Sequence, residues 1–435
     1  MKIRHNLGFW LVAGAFLTAM AFSTVPAPLY VLYQREDGFS AFVVTVVFAM
    51  YAVGVIVSLL LAGHVSDWVG RKRILIPALA LEVVAALIFL GSTALPALLL
   101  ARFVSGLGVG MITATATAYL AELHALSRPG AGTARFEVVS TAANIGGLGV
   151  GPLVAGALAQ FLPSPLHTPY LLFAVLLLLA IVAVGFTRET VELTPDRPRW
   201  RPQRIGVGEL LSTSHVSAGR TPSTRVGREE LSGSDRRAYL AAATTAFTAF
   251  AIFGVFNSLA PGFVAGTLHH PSRLLAGAVV FVVFGAAAVA QTLTTGLRPV
   301  ARFRLGLSVE ALGLIVLVAG MDTANLAGFL VGGVLAGAGA GVVFKAAIGS
   351  VVASAAPAAR GEALAGLFLI AYLGLVVPSL GLGVATRFVD SVTAMIWFSG
   401  ALLLLLAAGA WLGRTGGSAR GPRPSHREPV SAAAR

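Results

Sequence analysis

The chain has no cysteine, which removes disulfides and thiolate metal centres from it. It is also short of charge. Asp, Glu, Lys and Arg make up 11% of its 435 residues, where a soluble domain carries roughly a quarter. Its eight histidines are scattered, and the one adjacent pair, His269-His270, has no acid beside it. No metal cluster and no nucleophile–base constellation follows from such a pattern, so neither a metal site nor catalytic residues are expected, and no enzyme. What the chain does contain is apolar: 57% hydrophobic residues and a mean hydropathy of +0.85. Too little polar material is present to cover a water-facing surface, so the surface faces lipid.

A formal charge of +13 could point to nucleic acid, but the cations do not gather on one domain. They recur in short loops at every second end of long apolar runs, which is a topology signal of membrane proteins. Those runs lie near 8–33, 39–62, 74–93, 95–121, 136–161, 168–187, 238–264, 272–296, 303–320, 324–353, 361–386 and 390–412. A bilayer-crossing helix needs about 20 residues, and helices satisfy their own backbone groups in lipid. The expectation is an all-α integral membrane protein of about twelve transmembrane helices. The run 303–320 is the shortest. Lys2 and Arg4 precede the first run, but its hydrophobicity continues to Tyr33, beyond the about 7–15 residues of a signal-peptide core, so it reads as a retained span.

One set of loops carries Arg71, Lys72, Arg73, Arg128, Arg135, Arg298, Arg302, Arg304 and Arg360. The other carries Arg35, Arg273 and Arg387 beside Glu36, Asp37, Asp322 and Asp390. Cations collect on the cytoplasmic side, so both termini are expected there, in a bacterial inner (plasma) membrane. Residues 188–237, rich in Pro, Ser, Thr and Gly, read as a flexible cytoplasmic linker. They divide the chain into bundles of six helices, 1–187 and 238–412, followed by a disordered basic tail, 413–435. The halves echo each other. Arg102-Phe103 with Gly106 resembles Gly328-Phe329 with Gly332, and Pro152 resembles Pro378, all at an offset of 226 (328 − 102, 378 − 152).

Between the second and third runs lies Gly63-His-Val-Ser-Asp67-Trp-Val-Gly70-Arg71-Lys72-Arg73. Cations alone would set topology; an aspartate and two glycines beside them suit a latch, with glycine permitting a tight turn. Glu122, at the cytoplasmic end of the fourth run, is a plausible partner for Arg71. This loop resembles the helix 2–3 loop of the major facilitator superfamily, with Val65 and Trp68 as departures. The resemblance implies two pseudo-symmetric six-helix bundles that rock around a central cavity, with a gating loop formed by Gly63, Asp67, Gly70, Arg71, Lys72 and Glu122.

Two further stretches carry the resemblance. Arg102, followed by Gly106, Gly108 and Gly110, is similar to the family's helix 4, where the arginine is associated with proton transfer or substrate contact. A guanidinium inside a span costs several kcal/mol and faces a partner or cavity, or else snorkels outward. Gly147, Gly151, Pro152 and Gly156 resemble the helix 5 signature of the drug-efflux antiporter branch, with proline favouring a bend.

Glu82, Glu310 and Lys345 sit within spans and are candidates for coupling or for lining the cavity. Glu137 is expected to pair with Arg135. Tyr30, Phe250, Phe253 and Asn257 could line an aromatic, mostly uncharged cavity.

The expected function is proton-coupled export of small amphipathic compounds by a monomer in a lipid bilayer, with the proton as coupling ion, no cofactor and no nucleic acid. Uptake or facilitated diffusion of a small metabolite is the alternative, and a membrane sensor or scaffold on the same fold is the rival from another class.

Overall fold

The structure, a computed structural model, describes residues 5–62, 65–191, 233–355 and 360–417. Gly63, most of the 188–237 linker and nearly all of the basic tail lie outside the described residues. Among the described residues, twelve helices are long and apolar enough to cross a membrane: α1 (His5–Asp37), α2 (Ala41–Leu61), α3 (Arg71–Gly91), α4 (Leu95–Ser127), α5 (Ala134–Phe161), α6 (Thr168–Gly185), α7 (Arg236–Ser258), α8 (Arg273–Leu293), α9 (Pro299–Asp322), α10 (Leu326–Ser354), α11 (Arg360–Ala385) and α12 (Ser391–Arg414). No strand occurs among the described residues. The run expected at 303–320 is a full span of 24 residues.

Local chemistry sets the ends of these helices. Ser272 accepts from the Leu275 amide at 3.3 Å to start α8, and Asn325 accepts from the Gly328 amide at 3.1 Å to start α10. Each side chain satisfies one amide that the helix leaves orphaned. Pro96, Pro169 and Pro299 sit in the first turns of α4, α6 and α9, where the missing N–H costs nothing. Helix α1 is not one continuous rod. Pro26 and Pro28 cannot donate backward, the helix breaks at Val25, and the Val25 amide turns to the Phe22 carbonyl at 3.1 Å. α5 carries a π-helical turn over Ala142–Gly146. Leu171, Val175, Leu178, Leu179 and Val182 of α6 remain exposed, as a lipid-facing stripe does.

Helices α1–α6 pack among themselves, and so do α7–α12. The two sets meet mainly where α5 lies against α8 and α2 against α11. These two seams are equivalent in the duplicated plan, and glycine lets the first close to backbone distance. A Cβ on Gly277 of α8 would collide with the Pro152 carbonyl of α5.

The structure corrects the register of the repeat. Gly106 and Gly110 of α4 face α2, while Gly108 faces Glu82 of α3. In the second half Gly337 and Gly341 of α10 face α8, while Gly339 faces Glu310 of α9. The equivalent glycines are therefore 231 apart (337 − 106, 339 − 108), not 226. The offset is 228 for α3 and α9 (310 − 82) and 226 for α5 and α11 (378 − 152). Loops of unequal length in the two halves shift it, so the constant 226 across α4 and α10 was a coincidence of apolar, glycine-rich composition.

Candidate functional site

At the cation-rich end, the chain leaves α2, forms the short helix Ser66–Val69 and turns into α3 through Gly70. The φ of Gly70 is +116°, a conformation that favours glycine, and a Cβ there would also meet the Glu189 carboxylate. Arg71 is the centre of a polar cluster. Its Nε and Nη2 donate to Glu122 Oε1 at 3.0 and 2.7 Å, and its Nη1 donates to Ser66 Oγ at 2.8 Å and to the Asp67 carboxylate.

Sequence reasoning missed two members of this cluster. The Glu189 carboxylate accepts the backbone amides of Arg71 (2.9 Å) and Lys72 (3.1 Å), capping the start of α3. Thr190 donates to Glu122 Oε2 at 2.5 Å. Lys72 donates to the Gly185 carbonyl, and Tyr119 reaches Thr187 Oγ1 at 2.7 Å. The first residues after α6 are thus strapped over the loop. The readable signal is an acid immediately after the sixth span, available to a helix N-terminus.

Arg102 is 1% exposed. Its Nη1 donates to the Ser23 carbonyl at 2.6 Å, beside the break in α1, and the guanidinium lies 4.6 Å from the centre of the Tyr51 ring and 5.6 Å from that of Phe48. The arginine thus takes up a carbonyl at the proline break and rests on two aromatic faces. Among the described residues its Nε has no hydrogen-bond partner, nor does the hydroxyl of Tyr30 or the Oε1 of Glu82. Glu82 is fully buried and accepts from Ser105 at 2.9 Å. Glu310 is equally buried, and neither of its oxygens has a partner among the described residues.

A cavity of about 580 Å³ opens between the halves at the opposite, cation-poor end. Tyr30, Gln34 and Ser40 wall it from the first half; Ser258, Thr267, Thr386 and the charged pair of side chains Arg387 and Asp390 wall it from the second. Of the four residues considered for an aromatic lining, Tyr30 lies in the wall. Phe250 packs on Phe344 (4.8 Å between ring centres) and Tyr372 (5.5 Å), Phe253 stacks on Phe284 (4.8 Å), and Asn257 is buried. Arg387 lies 4.2 Å from the centre of the Phe42 ring across the seam of the halves. Asp390 caps α12 through the amides of Val392 (3.0 Å) and Thr393 (2.9 Å). The hydrogen bonds from Thr393 hold its carboxyl below the usual range.

On α5, Gly147 and Gly151 lie against α1, and Gly156 against Arg273 and Gly277 of α8, with Pro152 at the closest approach. Lys345 of α10 donates to Thr295 Oγ1 (2.7 Å) and the Gln291 carbonyl (3.1 Å) and lies 3.9 Å from Glu137 of α5. Glu137 therefore does not pair with Arg135. Residues two apart point to different faces of a helix, and Arg135 bonds Asn6 at 3.1 Å and lies over the rings of Phe9 and Trp10.

Twelve spans among the described residues, in two like halves with a cavity between them and a charged cluster at the other end, are the architecture of a multi-pass membrane protein. Residues 11–302 match the family model described as Major Facilitator Superfamily, and the chain belongs to that family. Its fold is similar to that of the human organic anion transporter MFSD10 (TM-score 0.65, 17% identity) and of the nucleoside transporter NupG in mutant form (TM-score 0.66, 12% identity). Each match covers 94% of this chain and 100% of the other. Monosaccharide-sensing protein 2 of Arabidopsis thaliana is 28% identical over 185 residues, 42% of this chain and 23% of that protein. Myo-inositol transporter 2 of Schizosaccharomyces pombe is 34% identical over 68 residues, 16% of this chain and 12% of that protein. The chain thus spans less than a quarter of the length of either curated relative.

Proposed function

We propose that this chain takes up a small, hydroxyl-bearing polar solute by alternating access. The cavity at the cation-poor end carries this reading. Its wall of Tyr30, Gln34, Ser40, Ser258, Thr267 and Thr386 supplies neutral donors and acceptors from both halves. A solute held between two halves moves when they tilt. The names of the two curated relatives, a monosaccharide sensor and an inositol transporter, favour a sugar or polyol. The cation-rich end is cytoplasmic by the inside-positive rule, which puts both termini inside the plasma membrane and leaves the cavity facing out.

A second reading, proton-driven export of amphipathic compounds, is favoured by the glycine–proline packing of α5 on α8, the segment that resembles the antiporter branch. In it Glu82 and Glu310 are the proton carriers.

Purified protein in proteoliposomes separates the two. Entry of labelled myo-inositol or a monosaccharide, saturable and blocked by excess unlabelled solute, is the result expected. No flux of any polyol or monosaccharide, together with dye efflux driven by an imposed proton gradient, would overturn uptake in favour of export.

A further inference from the structure

The cluster around Arg71 lies wholly within the first half and the strap that follows it, so a tilt of one half against the other does not by itself break it. Among the described residues, the ion pair that joins the halves is Glu137–Lys345. We propose that these two residues clasp the cation-rich end shut and bias the protein toward the pose in which the opposite cavity is open. The proposal rests on the alternating-access reading above.

Three observations carry it. First, the lysine is preset. Two of its three donors are fixed by Gln291 of α8 and by Thr295 in the turn that follows it, so the third is free to meet a carboxylate on α5. The glutamate is likewise held, accepting from Thr133 at 2.8 Å. The neighbouring Arg302 does not compete, because its guanidinium is committed to the carbonyls of Thr294 (3.0 Å), Thr295 (2.6 Å) and Leu297 (3.2 Å).

Second, the pair sits at one end of the α5–α8 seam. The other end is pinned separately, where Arg273 donates through Nη1 to the Ala159 carbonyl at 2.7 Å and through its amide to Gln160 Oε1 at 3.0 Å. Third, the repeat does not require the charge. In the corrected register the counterpart of Lys345 is Ala114 (345 − 231). One half builds the same helix without a cation, so the lysine is an addition to the fold.

The pair is partly exposed, and such pairs are modest. Its loss therefore shifts the ratio of poses by up to about five-fold without unfolding the protein.

The native absence of cysteine makes the measurement direct. Spin labels on Leu126→Cys and Ser354→Cys, one in each half at the cation-rich end, report that opening as a distance distribution in nanodiscs. The parent is expected to show a short and a long population. Glu137→Gln and Lys345→Met each raise the long-to-short ratio, and the charge-swapped double variant, Glu137→Lys with Lys345→Glu, brings it back. An unchanged ratio in both single variants, or a swap that fails to restore it, removes the clasp while leaving alternating access intact. A single distance in the parent and in every variant removes the alternating-access reading itself.

Discussion

Glu82 and Glu310 occupy equivalent places in the two halves, each against the middle glycine of a three-glycine stripe on the next helix: the Glu82 carboxylate lies at Gly108, whereas the Glu310 backbone and Cβ lie at Gly339. Their hydroxyl neighbours differ. Ser105 of α4 donates to Glu82 at 2.9 Å, whereas its counterpart in α10 is Ala336 (336 − 231 = 105). The hydroxyl that approaches Glu310 is that of Thr248 on α7, and it donates to the Thr245 carbonyl at 3.0 Å.

That difference sets opposite outcomes for removing the two acids. A buried polar group without partners costs stability, and replacing it by an apolar group of similar shape is neutral or stabilising. Glu310→Met is expected to leave the thermal midpoint in detergent unchanged or raised. Glu82→Met, which strands Ser105 beside an apolar side chain, is expected to lower stability by about 1 kcal/mol. Solute flux measured on the same preparations supplies the second axis: flux lost from Glu310→Met while stability holds assigns that acid to the transport cycle.

The glutamate that caps α3 is open to a similar test. Glu189 satisfies the amides of both Arg71 and Lys72. Its replacement by alanine should cost about 0.5–2 kcal/mol, the range for loss of a helix N-terminal cap. Asp67→Asn, at an exposed position, should cost less. Chemical denaturation of the two variants side by side checks the order, and an equal or reversed ranking would count against the capping role.

Arg102 is expected to be needed for transport and to resist conservative replacement. Its planar guanidinium stacks on Tyr51 while one nitrogen reaches Ser23, a combination that an ammonium cannot reproduce. Arg102→Lys and Arg102→Ala should both abolish flux while the protein still reaches the membrane at normal abundance, as read by quantitative blotting of membrane fractions. Preserved flux in either variant would remove the arginine from the mechanism.

The spans were legible because their signal is compositional: lipid demands long apolar helices, and polar loops interrupt them. The cluster around Arg71 was legible in part. Asp67, Arg71 and Glu122 stand at recognisable helix ends, whereas Glu189 is separated from Arg71 by 118 residues and announces nothing by spacing. The π turn in α5 and the five-residue shift between α4 and α10 were hidden for another reason. Alanine, glycine and valine repeat so often in these helices that several alignments look equally good, and only which neighbour each glycine touches decides among them. The ring contacts of Phe250 and Phe253 were not legible for a related reason: periodicity puts an aromatic on a face but does not say which rings that face meets.

The cap of α12 carries a pH dependence outside the spans. Asp390 accepts from Thr393 and Val392, so its folded form favours the ionised carboxylate and its carboxyl titrates below the ordinary 3.8. A depressed folded pKa means that the contribution is full above the unfolded value and is lost as pH falls through the folded one. Start-of-α12 order, read by amide exchange at Val392 and Thr393, should therefore be steady from neutrality down to about pH 4 and loosen only under stronger acid. Asp390→Asn keeps an acceptor but no charge, so it should leave those amides protected at neutral pH and remove the acid-induced loosening. Loosening that persists unchanged in Asp390→Asn would assign the transition to another group, and the cap would lose its part in the behaviour of the cavity's edge.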